Sequence, residues 1–462
     1  MILGYPESMK RQAEASLSAW FRQRGRKPLI LRGARQVGKS TLVRNWCQDQ
    51  GLELLEFNLE KEPFRSLILH PRQRVSLQDQ PPTLSSLLDE IQLRKNTRIG
   101  PKTLIFFDEI QEQPELIQFL RYFYEERPDL AVISAGSLLE IVLKTEAISF
   151  PVGRVEFLHL GPMNFGEFLI ATGRDLLAEA LAQGQRSESS HELARRAFRE
   201  FLYVGGMPEA VASFVEEKSL APVRMIQDQI LQTYLADFPK YNSRIASSRI
   251  QEVFRSSAAQ VGKKVIYQRL ATEAQSRDIK RVVELLIDAR VLLVAYHSDG
   301  RSVPLAGQID RSVFKLYFLD VGLMNAMMRI DLETIDLEMK NQFNTKGVVA
   351  EQFVAQHLNG IRGDRLEPEL FYWLRDKGAQ KGEVDFLLHD TAGVLPVEVK
   401  SGAPGKLKSL FYFSKERAHS RAVRLSLAQA SEERVQHRIN DSVVSIRLKN
   451  VPIYAVQWLL GP

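Results

Sequence analysis

The stretch Gly33-Ala34-Arg35-Gln36-Val37-Gly38-Lys39-Ser40, followed by Thr41, constrains this chain more than any other. It has the form G-x-x-x-x-G-K-[ST], with the apolar run Leu29-Ile30-Leu31 before it and a helix-forming run from Ser40 to Asp49 after it. Strand, glycine loop and helix in that order make a phosphate cradle. The glycines let backbone N–H groups turn toward phosphate oxygens, and the helix N-terminus adds partial positive charge. The pattern predicts that Gly33 to Thr41 bind a nucleoside triphosphate. Lys39 is expected to reach its β- and γ-phosphates, and Ser40 to hold Mg²⁺.

A partner motif follows at Leu104-Ile105-Phe106-Phe107-Asp108-Glu109. Four consecutive apolar residues suit a parallel strand covered on both faces, and acidic residues at its end meet phosphates at the carboxyl edge of the sheet. Asp108 is expected in the Mg²⁺ shell and Glu109 as the group that polarises the attacking water, so the site is equipped for hydrolysis. A further apolar run, Leu130 to Ser134, ends in Ala135-Gly136-Ser137. Ser137 either senses the γ-phosphate and its water or caps a helix from Leu138 onward.

The length of 462 residues leaves room for two to four domains, and 44% hydrophobic with 26% charged residues is ordinary for a globular chain. A single cysteine, Cys47, excludes disulfides and thiolate metal clusters and fits the cytoplasm. The start, MILGYPESMKRQ, lacks a signal-peptide core, and no run approaches the 18 apolar residues of a membrane span. The net charge of +6 is unevenly spread. Lys10 to Arg44 carries ten basic residues against one acidic, Tyr241 to Arg290 ten against five, and Ser401 to the end ten against four. Such a distribution suits a polyanion, and DNA is the expected partner; solvated helix faces give similar counts.

Taken in order, GARQVGKST, LIFFDEIQ, AGSLLE, VGRVEFLHLGPMNFGEF and GGMPEA resemble a family of prokaryotic AAA-superfamily ATPases, in the branch near the archaeal ATPases and the signal-transduction NTPases. KLYFLDVGL, GEVDFLL and PVEVKSG resemble the uncharacterised C-terminal domain that accompanies such ATPases, so the resemblance covers essentially the whole chain. It implies ATP and Mg²⁺ as cofactors and a homo-oligomer. It implies Arg154 as an arginine finger, often acting on a neighbouring subunit, and the Gly205-Gly206-Met207-Pro208 turn in a helical lid near the adenine.

Two further patterns complete the reading. Ile266 to Ala274 reads as an amphipathic helix, Gln275 to Asp278 as a turn, Ile279 to Ala289 as a second helix, and Val291 to Tyr296 as a strand entering a wing at Ser298-Asp299-Gly300. In a DNA-reading winged helix, Arg277, Lys280 and Arg281 lie at the end of the second helix that meets bases; many winged helices only pack against other domains. Near the C-terminus, Asp385 heads one strand and Glu398-x-Lys400 ends the next, with Glu351 on an upstream helix, Gly347 to Leu358. This is the D…E-x-K constellation of restriction-endonuclease-like, PD-(D/E)xK folds. Asp385 and Glu398 are its expected Mg²⁺ ligands, and Lys400 assists the water; the alternative is a structural charge network.

The expected architecture is α/β: a P-loop NTPase core with a parallel sheet (1–160), a helical lid (161–240), a winged helix (241–330) and a mixed α/β restriction-endonuclease-like domain (331–462). The function it points to is a DNA-processing ATPase. The alternative is a nucleotide-controlled signalling or assembly switch whose last domains bind proteins.

Overall fold

The computed structural model describes residues 9–64, 83–137, 139–145, 150–238, 245–341, 347–361, 369–376, 381–399, 407–440 and 442–459. The bulk of the chain gathers into two compact units, Arg11–Gly161 and the chain from Pro162 onward.

The first unit is built on five parallel strands: β1 (Leu29–Arg32), β2 (Glu53–Asn58), β3 (Thr103–Asp108), β4 (Ala131–Gly136) and β5 (Glu156–His159), in the order β2-β3-β4-β1-β5. Every residue of β3 and β4 is buried, which is what an unbroken apolar run needs from a sheet covered on both faces. The helices of this unit are α1 (Ala13–Phe21), α2 (Lys39–Asp49), α3 (Leu84–Lys95), α4 (Glu115–Glu126) and α5 (Leu139–Thr145). Thr83 starts α3, its Oγ1 accepting the Ser86 N–H at 3.2 Å in a capping box; Gln80, Pro81 and Pro82 lie outside the described residues. Because all five strands run the same way, β1, β3 and β4 deliver their carboxyl ends to one edge.

The second unit opens with five helices: α6 (Phe165–Ala171), α7 (Asp175–Ala182), α8 (Glu188–Val204), α9 (Pro208–Glu217) and α10 (Val223–Asp237). These lie within residues 161–240, the stretch expected as a helical lid. Then come α11 (Ser247–Ala259), α12 (Ser276–Asp288), β6 (Leu292–Ser298) and β7 (Ile309–Phe318), followed by α13 (Val321–Met327), α14 (Leu332–Lys340) and α15 (Val348–Ile361). The C-terminal elements are β8 (Leu370–Arg375), β9 (Gly382–Val384), β10 (Phe386–Asp390), β11 (Gly393–Val399), α16 (Lys408–Arg417), β12 (Arg421–Ser426), β13 (Ser431–Ile439) and β14 (Ser442–Pro452). They form two sheets, β7-β6-β8-β9 and β10-β11-β12-β14-β13. Since β6 pairs with β8 in parallel, a sheet runs across residue 330.

One expected element did not form. Ile266 to Ala274 contains only a 3-10 turn, Tyr267–Arg269, and α12 already begins at Ser276, inside the expected turn. Lys264 bridges to Lys315, and the Val265 N–H donates to Phe314 O at 2.9 Å, so this segment starts from an extended backbone held by β7. Ile266 is 41% exposed and only Leu270 and Ala271 are buried, so the segment has no apolar face running its length. A stretch this short cannot sustain a helix without such a face.

The Gly-Gly-Met-Pro turn has a packing explanation. Buried Asp320, the N-cap of α13, accepts the Gly206 N–H at 2.7 Å, the Leu323 N–H at 3.0 Å and the Gln356 Nε2–H at 3.1 Å. A Cβ on Gly206 would stand 2.0 Å from Met163 O, and one on Gly205 2.2 Å from Asp320 Oδ1. Only glycines admit this approach.

His357 on α15 is buried with both ring nitrogens used: Nε2 accepts the Phe165 N–H at 2.9 Å, and Nδ1–H donates to Phe353 O at 2.8 Å. Burial holds it down at about 4. A group held below its unfolded value contributes stability that is present above pH 6.5 and is lost as the pH falls from there through about 4. The loss should be on the order of 3 kcal/mol. Denaturation midpoints of the wild type and of His357→Gln, measured between pH 7 and 4, should converge as the pH falls; parallel curves would contradict this.

Candidate nucleotide site

At the carboxyl edge of the first sheet, β1 hands the chain to the loop and α2 leaves it. Gly38, the N-cap of α2, is left-handed at φ 89°, and Gln36 is also left-handed at φ 62°. A Cβ on Gly33 would fall 2.2 Å from Leu160 O, so only glycine lets the loop pass the chain leaving β5. Ala34 and Val37 are buried, while Thr41 is half-buried on α2. Lys39 is buried, and its Nζ donates to Gly33 O at 3.0 Å and Ala34 O at 2.8 Å. Burial lowers its pKa to about 8, against the opposing pull of Glu109 and Asp108.

The Ser40 Oγ–H donates to Asp108 Oδ2 at 2.6 Å. An alcohol and a carboxylate brought together are the oxygen donors a hard divalent cation selects, so this pair fits Mg²⁺. Burial raises the Asp108 pKa, and the Ser40 hydrogen bond works against it. Next along the chain, Glu109 is left-handed at φ 54°, its N–H held by Asp108 Oδ1 at 3.1 Å. Strained backbone of this kind persists where the surroundings over-determine it. Its carboxylate meets two donors: Gln111 Nε2 at 2.6 Å and the Ser137 Oγ at 3.5 Å, both on Oε2. Ser137 Oγ in turn accepts Arg35 Nε at 3.3 Å. The structure therefore brings Lys39, Ser40, Asp108, Glu109, Ser137 and Arg35 to one edge.

Two residues here escaped the sequence reading. Gln111 is buried, and its Oε1 lies where a Cβ on Gly136 would come within 2.7 Å, so the glycine before Ser137 makes its room. Buried Arg11 braces the loop from behind, Nη1 donating to Val37 O at 3.0 Å and Nη2 to Gly161 O at 2.8 Å. No local signal marks either: Gln111 follows the acidic pair as an ordinary polar residue, and Arg11 lies far upstream of the loop it supports.

Arg154 sits just before β5 in the same unit, its Nε donating to Glu125 Oε1 on α4 at 2.5 Å and its Nη1 to Val152 O at 3.1 Å. That hydrogen bond holds the Glu125 carboxyl below the usual range. Pro208 is buried at the first position of α9, in the other unit.

In the C-terminal part, Asp385 immediately precedes β10 and Glu398 lies near the end of the antiparallel strand β11. Both are buried, and Asp385 Oδ2 accepts the Val399 N–H at 2.7 Å. Glu351 lies on α15, its Oε2 accepting the Tyr317 O–H at 3.4 Å. Lys400 lies outside the described residues. Among the described residues, no group of three or more His, Cys, Asp or Glu is arranged to hold a metal ion, and none of their helices is long and apolar enough to cross a membrane.

Residues 25–169 match a family model described as AAA domain. Residues 195–334 and 346–450 match two models described as domains of unknown function, DUF8612 and DUF4143. No curated protein matches the chain. Among solved structures, a Walker-type ATPase of Pyrococcus abyssi is similar at 16% identity, covering 69% of this chain and 96% of that one with a TM-score of 0.43. The Aeropyrum pernix ORC2 protein shares 14% identity over 71% of this chain and 94% of its own, with a TM-score of 0.33. Thermotoga maritima RuvB shares 16% over 63% and 92%, with a TM-score of 0.30. The phosphate loop, the acidic pair ending β3, the parallel sheet between them and the matched family model agree: residues 25–169 are an AAA-type P-loop domain.

Proposed function

We propose that this chain is an ATPase whose turnover does work on DNA, with the second unit gripping the nucleic acid. The meeting of Ser40, Asp108 and Glu109 beside Lys39 carries the hydrolytic half of the reading. Bound MgATP supplies the electrophilic phosphorus. Gly33 to Thr41 cradle the phosphates, Lys39 binds the β- and γ-oxygens, and Ser40 with Asp108 holds the cation. Glu109 takes the proton of the attacking water, and Ser137 fixes the placement of that carboxylate. Pro208 is proposed beside the adenine, and Arg154 as a finger across a homo-oligomer interface.

Arg154→Ala should depress turnover by roughly 10³-fold or more while sparing ATP affinity, since a finger acts on charge that develops in the transition state. Mixing Arg154→Ala with Lys39→Ala subunits should restore some activity if the finger works in trans. Failure of rescue in assembled mixtures would return Arg154 to its own subunit and to the Glu125 ion pair.

DNA enters through α12. Arg277, Lys280 and Arg281 are all exposed near its N-terminal end, and their ion pairs are long: Lys280 to Glu284 and Arg281 to Asp278, each 3.8 Å. The wing has another job. Arg417 Nε donates to Asp299 O at 2.7 Å, and a Cβ on Gly300 would press within 2.9 Å of Leu387 and Phe413, so residues 299–300 seat against the C-terminal elements. Duplex binding measured by anisotropy across a salt series should give a steep log–log slope. Each of Arg277→Ala, Lys280→Ala and Arg281→Ala should reduce it by about 0.9. Absence of salt-dependent binding would favour the nucleotide-controlled switch with protein partners.

A further inference from the structure

Lys315 lies in β7 between Phe314 and Leu316 and is wholly excluded from solvent. Its Nζ stands 2.5 Å from Glu383 Oε1 and 3.8 Å from Glu351 Oε2, and 4.9 Å over the ring of Tyr372. Tyr317, two residues along the same strand face, donates its O–H to Glu351 Oε2 at 3.4 Å. From the other side the turn at Gly262 closes on the cluster: its N–H donates to Leu316 O at 3.1 Å, and a Cβ there would come 2.7 Å from Glu351 Oε2. A buried ammonium is costly unless anions stand beside it, and Glu383 and Glu351 are the carboxylates its Nζ meets.

Asp385 is one of the two carboxylates that the sequence pattern assigns to Mg²⁺, and Glu351 is the acidic residue that the upstream helix adds to that constellation. Asp385 is buried, Glu351 half-buried and Glu383 partly open to solvent, and carboxylates collected around a dry strand need a counter-charge. Here a lysine from β7 supplies it, while one oxygen of Asp385 is taken by the Val399 N–H. We propose that Lys315 is the resident cation of this carboxylate group, occupying the role a divalent ion plays in a metal-dependent phosphodiesterase. The C-terminal part then grips its partner without cutting it. The inference refines the reading of this part as the gripping element and does not depend on ATP turnover.

The test uses the full-length, nucleotide-free chain carrying Asp108→Asn, which removes the cation ligand of the phosphate-loop site. Mn²⁺ alone is the probe, its free concentration read by electron paramagnetic resonance. The chain with Lys315 intact should hold no Mn²⁺, and its thermal midpoint should not move with added Mn²⁺. Lys315→Met should lower the midpoint by roughly 10 °C, because the carboxylates lose their counter-charge. Glu351→Gln added to Lys315→Met should recover part of that fall. Mn²⁺ bound by the Lys315-containing chain and released by Asp385→Ala would overturn the proposal. So would a double variant no more stable than Lys315→Met. If Lys315→Met does not fold, the Mn²⁺ titration of the chain with Lys315 decides. DNA binding, measured separately, stands or falls without it.

Discussion

Replacing Glu109 by glutamine should slow ATP hydrolysis by roughly 10²–10⁴-fold, the ordinary contribution of a positioned general base, while leaving ATP binding essentially as it was. The amide keeps the size and hydrogen-bonding reach of the carboxylate, so the left-handed turn after β3 and the contact with Gln111 should survive. What it loses is the capacity to take a proton. Filter binding and single-turnover phosphate release together separate the two effects. A Glu109→Gln protein that hydrolyses at the wild-type rate would remove Glu109 from the chemistry.

Lys39→Ala should strike one step earlier. The ammonium is buried at the base of the cradle, within reach of Gly33 and Ala34 carbonyls that a phosphate would replace. Truncating such a buried charge contact removes about 2–5 kcal/mol, or roughly 30-fold to several thousand-fold in Kd. The wild-type pH dependence carries the same signature. Lys39 is held at about 8 without nucleotide, and a polyphosphate favours its charged form. Binding should therefore take up a proton above about pH 8, and affinity should fall as the pH rises past that point. Calorimetry in two buffers of different ionisation enthalpy reads this uptake directly. An affinity flat from pH 7 to 9.5 would contradict the assignment.

What the sequence made legible was contiguous. The cradle, the acidic pair and the buried strands before them are local patterns whose chemistry depends on neighbours a few residues away, and the parallel sheet then brings Ser40 to Asp108. Ile266 to Ala274 misled because its apolar spacing said helix, while Lys264 and Val265, which lead into it, are held extended against β7, some 50 residues away in sequence. Lys315 was missed although it left a trace: a lone lysine inside Val313-Phe314-Lys315-Leu316-Tyr317-Phe318, a run otherwise fit for burial. A charge in such a strand must find partners, and Glu383 and Glu351 are 68 and 36 residues downstream in the chain, beyond the reach of any local pattern.

The central claim is hydrolysis at the edge formed by β1, β3 and β4. Its most direct test is inorganic phosphate release from ATP by the purified wild-type chain, with and without Mg²⁺, beside Lys39→Ala and Glu109→Gln. Release should require Mg²⁺ and be abolished or nearly so in both variants. No release by the wild type, or release that persists undiminished in Lys39→Ala, would contradict it.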